Sequence, residues 1–184
     1  RFSEGLAAVG LGGKLGYVDR AGKLAIPPRF EKAYDFHQGR ARVLLDGRIA
    51  YIDNTGKVVI GPLEGVSRAF DFRHGLARIR VKTRWGFIDR SGKRLVPPSY
   101  FAAYDFSEGM ASVQDEKGWS CIGPDGKVLL RMGQDWLMTY SGGLAPMIRD
   151  RKVGYVNREG KVVIQPRFLR AFEFSEGFAS VELE

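Results

Sequence analysis

Five lysines stand immediately after glycines, at Lys23, Lys57, Lys93, Lys127 and Lys161. They recur at about 34 residues, a spacing within the range of small structural repeats, and only the step from Lys57 to Lys93 is slightly longer. Ammonium groups repeated at a near-constant spacing suit the gripping of an anionic polymer, such as a cell-wall glycan or a nucleic acid. On a phosphate backbone, five such contacts give a salt slope of about 4.5, at roughly 0.9 per phosphate. The lysines also have a plainer role as solvated hairpin-tip residues, half-neutralised by Asp19, Asp53 or Asp89 across the turn and blunting strand edges against aggregation. Arg42, Arg78, Arg80, Lys82 and Arg84 form a second basic patch, the place where contact with an acidic surface is expected. With 29 Lys and Arg against 21 Asp and Glu, the chain carries +8, which favours acidic partners without being a nucleic-acid signature by itself.

A different chemistry collects between Arg131 and Tyr140. Three of the four methionines, Met132, Met138 and Met147, lie close together in sequence with Trp136 among them, and exposed Met and Trp suit adaptable recognition surfaces. Met132, Trp136, Met138 and Tyr140 are therefore candidate contacts for a protein partner, set against the alternative of a locally repacked core. Replacement of Trp136 separates the two, since only a core tryptophan unfolds the chain when lost.

Catalytic chemistry finds less to work with. His37 and His74 occupy turn positions held elsewhere by Ser107 and Glu108, which suits surface turn residues better than a general base. Two histidines and Cys121, in different segments, do not make up a structural zinc set. Carboxylates recur once per segment (Asp35, Asp71, Asp105 and Glu173), so they do not single out an acid–base pair. No phosphate-cradling or dinucleotide fingerprint is present. The expectation is a non-enzyme without metal or cofactor.

The elements that position these residues are written as a repeat. A second glycine ladder, Gly5, Gly39, Gly75, Gly109, Gly143 and Gly177, runs ahead of the glycine–lysine pairs at an offset that is the same in every segment. The two extra positions between Gly56 and Gly75 fall in the connection Gly61 to Val66, which marks it as a surface loop. Asp89-Arg90-Ser91-Gly92 fits a type I turn whose glycine takes the left-handed position of a bulged hairpin, with the aspartate accepting from turn amides. Each lysine then opens a short apolar strand that is expected to stop at Pro27, Pro62, Pro97 or Pro166. A tight turn such as Ser107-Glu108-Gly109 leads into alternating segments such as Met110-Ala111-Ser112-Val113. Units this small bury too little surface to fold alone and must stack on their neighbours. The expected organisation is one repeat domain over 1–184, with units 2–35, 36–71, 72–105, 106–139 and 140–173 and a partial sixth at 174–184.

The pattern W-G-F-I-D-x-x-G-K-x-x-x-P-P-x-Y-x-x-A-x-x-F-S-E-G-x-A, read from Trp85 onward, resembles the bacterial WG-repeat family, and the resemblance covers nearly the whole chain. It implies a β-repeat array that serves as a binding or accessory region, with no shared catalytic residues. Only Trp85-Gly86 keeps both namesake letters; Leu15-Gly16, Ile49-Ala50, Trp119-Ser120 and Val153-Gly154 stand in the matching places, as apolar core positions do.

The reading is therefore all-β, with hairpin units of about 34 residues stacked as an open solenoid or superhelical array, and a closed five-bladed propeller as the alternative. Its function is expected to be protein interaction or scaffolding, or else binding of an anionic polymer through the lysine ladder. No run reaches the roughly 20 apolar residues of a membrane-spanning helix. A single cysteine suits a reducing compartment, with the cytoplasm favoured over the cell envelope. The start in mid-repeat at Arg1-Phe2-Ser3-Glu4-Gly5 reads as a segment of a longer protein.

Overall fold

In the computed structural model, which describes residues 1–183, every element is a β-strand. The first sheet holds β1 (Ala7–Leu11), β2 (Lys14–Val18) and β3 (Leu24–Phe30) in that order. The second holds β4 (Lys32–His37), β5 (Arg40–Leu45), β6 (Arg48–Ile52) and β7 (Val58–Ile60). The third holds β8 (Val66–Ala69), β9 (Leu76–Val81), β10 (Arg84–Asp89) and β11 (Arg94–Tyr100). Two more four-stranded meanders follow: β12 (Ala102–Ala103), β13 (Ala111–Asp115), β14 (Gly118–Ile122) and β15 (Val128–Gly133), then β16 (Trp136–Leu137), β17 (Leu144–Arg149), β18 (Lys152–Asn157) and β19 (Val162–Phe168). β20 (Arg170–Ala171) pairs with β21 (Val181–Glu182). The chain divides into two compact units, Arg1–Thr83 with Phe87–Arg94, and Arg84–Gly86 with Leu95–Glu184.

Two turns make each sheet. At Asp19-Arg20-Ala21-Gly22 the Asp19 N–H donates to the Lys23 carbonyl at 2.9 Å and the Gly22 N–H to the Asp19 carbonyl at 3.0 Å, with Gly22 at φ +77°. The Asp19 carboxylate accepts from the Ala21 and Lys23 amides, as Asp53 and Asp89 do in their turns. Where Gly123 replaces the aspartate, Asp125 accepts from the Lys127 amide instead. The other turn, Ser3-Glu4-Gly5-Leu6 and its copies, has positive φ at both central residues, the type I′ geometry that matches strand twist.

Taking each sheet as one repeat of the fold, side chains in these turns and strands bind each repeat to the next within a compact unit. In unit 1 the Gly39 amide donates to Glu4 and the Gly75 amide to Gln38, both at 2.9 Å. In unit 2 the Gly143 amide donates to Glu108 at 3.0 Å. The tyrosine two positions after the Trp position does the same work from the core. Tyr17 donates to the Tyr34 carbonyl at 2.7 Å, Tyr51 to Phe70 at 2.6 Å and Tyr155 to Phe172 at 2.8 Å. Their rings meet Phe36, Phe72 and Phe174 edge-on at 4.9 to 5.0 Å. In the fourth repeat Cys121 takes the tyrosine's place, and the Ser112 hydroxyl donates to the Met138 carbonyl at 2.7 Å. The core clusters are accordingly repeated, each built from the apolar faces of adjacent sheets.

The prolines correct one expectation. β3, β11 and β19 do not stop at Pro27, Pro97 and Pro166 but run through them to Phe30, Tyr100 and Phe168. β3 and β19 are sheet edges, where a proline forfeits no ladder bond, and a register shift opposite Gly16 or Gly154 takes up the extra residues. Only β7 ends before its proline, at a cis Gly61–Pro62 bond leading into the exposed 61–65 loop.

Candidate functional site

The five turn lysines are all exposed. Their position is set by backbone, since each amide is tied to an aspartate or asparagine side chain of its own turn. Lys127 pairs with Asp125 at 3.0 Å. The ammonium groups of Lys23, Lys57, Lys93 and Lys161 make no ion pair among the described residues, so these four charges are open to solvent.

The residues gathered by sequence between Arg131 and Tyr140 separate in space. Tyr140 is buried to 1% exposure, because it occupies the core position of Phe36, Phe72 and Phe106; its ring offers nothing to a partner. Met132 is half-buried and packs on the same core cluster, and Met138 lines an apolar cleft of about 670 Å³ with Ile148, Val153 and Phe172. Trp136 alone of the four is displayed, at 45% exposure. Its indole lies nearly parallel to that of Trp119, with centroids 5.8 Å apart and planes at 11°, and its Nε1–H donates to the Tyr104 hydroxyl at 3.2 Å. Tyr104 and Trp119 are themselves 5.9 Å apart, so the three rings form one cluster in which Trp119 is buried and Trp136 is displayed. Beside it Arg149 holds Asp135 with two hydrogen-bonding nitrogens.

The second basic patch has a structure that charge counting does not show. In unit 1 the Arg42 guanidinium lies 3.7 Å from the Tyr34 ring centre and 5.8 Å from that of Phe70, while Arg78 lies 4.1 Å from Phe70 on its own account. Tyr34, Arg42, Phe70 and Arg78 thus alternate as ring and cation along neighbouring strands. Arg42 is fixed further by donation to the Ala69 carbonyl and by Asp71, 3.5 Å from its Nε. His37 lies 3.6 Å from the same carboxylate, in a contact that a turn residue of Ser107's type does not make. A cleft of about 560 Å³ opens beside this column, between β4, β5 and β8. The spacing of these residues carries no helical or strand signal, which is why only their basic character was legible.

Other reactive groups are engaged in structure. Cys121 is fully buried, and burial pushes its thiol above the usual range. Among the described residues no three His, Cys, Asp or Glu side chains gather as a metal ion needs, and no helix is long and apolar enough to cross a membrane.

A family model described as WG containing repeat matches residues 16–48, 50–82, 85–119 and 154–184. No curated protein matches the sequence. Among solved structures, Hsv2 of Kluyveromyces marxianus superposes with a TM-score of 0.62 at 10% identity, over 98% of this chain and 67% of that one. Kluyveromyces lactis Hsv2 gives 0.57 at 8% identity, over 95% and 66%. A chain of the S. cerevisiae Dbp5 complex with Nup159 and Gle1 gives 0.51 at 11%, over 92% and 60%. The present chain thus spans about two thirds of Hsv2 or less. At these identities the likeness shows the fold alone: tandem antiparallel sheets, the unit shared by a stacked-hairpin array and by the propeller alternative, Hsv2 being a propeller.

Proposed function

The chain belongs to the WG-containing repeat family, and from that premise we propose that it is a non-catalytic interaction module whose partner is a protein that docks on the aromatic surface around Trp136. One observation carries the reading: an indole nearly half exposed is nevertheless held still, by the Trp119 stack and by the hydrogen bond to Tyr104. A rigid exposed aromatic loses little conformational freedom on binding and buries a large area, which is the profile of an interface anchor. A non-catalytic role agrees with the polar groups of the repeats, whose recurring members close turns or tie one repeat to the next.

A second reading, an anionic polymer held by the lysines, is favoured by the four turn ammonium groups that face solvent without an ion pair. Affinity capture from the source cell with wild-type and Trp136→Ala bait, each at low and high salt, separates the two. A protein retained at high salt and lost with Trp136→Ala supports the docking surface. A polymer released by salt and indifferent to Trp136→Ala, but lost with Lys57→Ala/Lys93→Ala, replaces it with the lysine reading.

A further inference from the structure

We propose that the cleft of unit 1 beside Tyr34, Arg42 and Phe70 is a separate binding site, and that it takes a carboxylate-rich segment of a protein chain. The site does not depend on Trp136 and stands on its own geometry.

The cations of the cleft are of two kinds. Arg42 is preorganised: its plane is covered by Tyr34, one terminal nitrogen is committed to the Ala69 carbonyl and Nε faces Asp71, which leaves Nη2 without an acceptor among the described residues. Lys32 and Arg68 also line the cleft; both are exposed and neither makes an ion pair among the described residues. They occupy the same position on successive repeats, at the start of β4 and within β8, so they flank the cleft from both strands. A fixed guanidinium with two solvent-exposed cations beside it offers charge-assisted hydrogen bonds to several carboxylates at once. A volume of about 560 Å³ has room for a few side chains rather than a folded surface.

The combination of three cations belongs to this cleft and not to the repeat. At the place of Arg42 the other repeats carry Ala8, Ser112 or Pro146, apart from Arg78 in the next repeat. At the place of Lys32 and Arg68, Ala102, Trp136 and then Arg170 follow, so a cation recurs there only in part. The corresponding cleft in unit 2 has Met138 where Tyr34 stands and Ile148 where Leu44 stands, and is apolar with Arg170 as the one cation in its lining. Geometry is kept while chemistry changes, the pattern of a site whose lining selects a ligand.

The rings decide which anion fits. A single-stranded nucleic acid or a sugar gains most of its preference over other ligands where open aromatic faces let bases or pyranose rings stack. Here Phe70 lies between Arg42 and Arg78, and Arg42 covers one face of Tyr34. The aromatics hold cations, and the cations are what remains for a ligand. An acidic peptide uses them without needing the rings.

A fluorescein-labelled octaglutamate peptide, titrated by anisotropy against the whole chain at about 50 and about 300 mM salt, tests the site. Wild type is expected to bind, more weakly at the higher salt. Lys32→Ala/Arg68→Ala is expected to bind about tenfold more weakly with an unchanged melting temperature, since both residues are exposed. Lys57→Ala/Lys93→Ala and Trp136→Ala are expected to keep the wild-type affinity. Absence of binding, undiminished binding by the cleft variant, or an equal loss in the turn-lysine variant each overturns the proposal. An oligothymidylate of the same charge that binds more tightly than the peptide and is lost with Lys32→Ala/Arg68→Ala assigns the cleft to nucleic acid instead. These outcomes leave the Trp136 surface untouched, so the failure of one site is not the failure of the other.

Discussion

Gly86 lies so close to the Val96 carbonyl that a Cβ on it would stand 2.5 Å from the oxygen. Gly16 and Gly154 meet the carbonyls of Ile26 and Ile164 at 2.4 Å in the same way. Opposite each of these three glycines runs a strand continued through proline, Pro27, Pro97 or Pro166. Where the namesake glycine is replaced, by Ala50 or Ser120, the facing segment holds the cis Gly61–Pro62 bond or no proline at all. The glycine of the Trp-Gly pair therefore makes room for the bulged strand beside it.

That relationship sets the cost of losing it. Gly86→Ala forces a methyl against backbone that cannot rotate away and is expected to destabilise by about 3 kcal/mol, the upper range for overpacking. Ala50→Gly meets no such neighbour and is expected to cost about 1 kcal/mol, the ordinary penalty of a strand glycine. Urea unfolding of the two variants measures the difference; equal losses would show that the carbonyl contact is relieved by movement of the strand.

The turn glycines allow strain to be separated from packing. Gly22 and Gly92 both have positive φ, +77° and +87°, but a Cβ at Gly22 meets nothing within 4 Å whereas one at Gly92 falls 2.8 Å from Ile60 Cγ2. Gly22→Ala should therefore cost about 1 kcal/mol, the left-handed penalty alone. Gly92→Ala adds a clash with the preceding repeat and is expected to cost roughly twice that or more. The excess should shrink when Ile60→Ala is combined with it, which a double-mutant cycle measures.

What was legible in the sequence is what the chain decides over a few residues. The repeat period and the bulged turns could be read because a glycine at positive φ and an aspartate reaching amides two and four positions on are local requirements. The passage of strands through proline was not, because its permission comes from a glycine on the neighbouring strand. Trp136 was found by composition, while its support, Trp119, belongs to another sheet and the preceding repeat. Tyr140 was placed with Trp136 for the same compositional reason; the ladder of Phe36, Phe72 and Phe106 was the better guide to its burial. The Tyr34–Arg42–Phe70 column was visible only as charge, since its rings and cation come from separate segments of two repeats.

The buried tyrosines give the fold an alkaline limit. Burial holds the phenols of Tyr17, Tyr140 and Tyr155 above the ordinary tyrosine range. Below about pH 10, the unfolded value, they are protonated in both states and their titration adds no pH dependence to stability. As pH rises past that value the unfolded chain loses protons that the folded chain keeps, so stability falls. Tyr155→Phe forfeits the bond to the Phe172 carbonyl and is expected to cost about 1 to 2 kcal/mol at pH 7, while flattening the alkaline decline. Thermal melts from pH 7 to 11 on both proteins check the two effects together.

Cys121 reports on the same repeat-to-repeat bonding from inside the fourth repeat. Thiol modification requires both access and a thiolate; Cys121 is fully buried, its ionisation is pushed up by that burial, and its Sγ lies 4.0 Å from the Ser112 hydroxyl. A neutral-pH disulfide reagent is therefore expected to reach it only through opening of the structure, at a rate that rises with urea. Ser112→Ala leaves the Met138 carbonyl without its hydroxyl donor, a loss of about 1 to 2 kcal/mol. If labelling follows the open population, that loss accelerates it about tenfold at constant urea, one factor of ten for each 1.4 kcal/mol. Rapid labelling of the native chain, or a rate indifferent to Ser112→Ala, would show that the thiol is reached by a local path rather than by separation of the repeats.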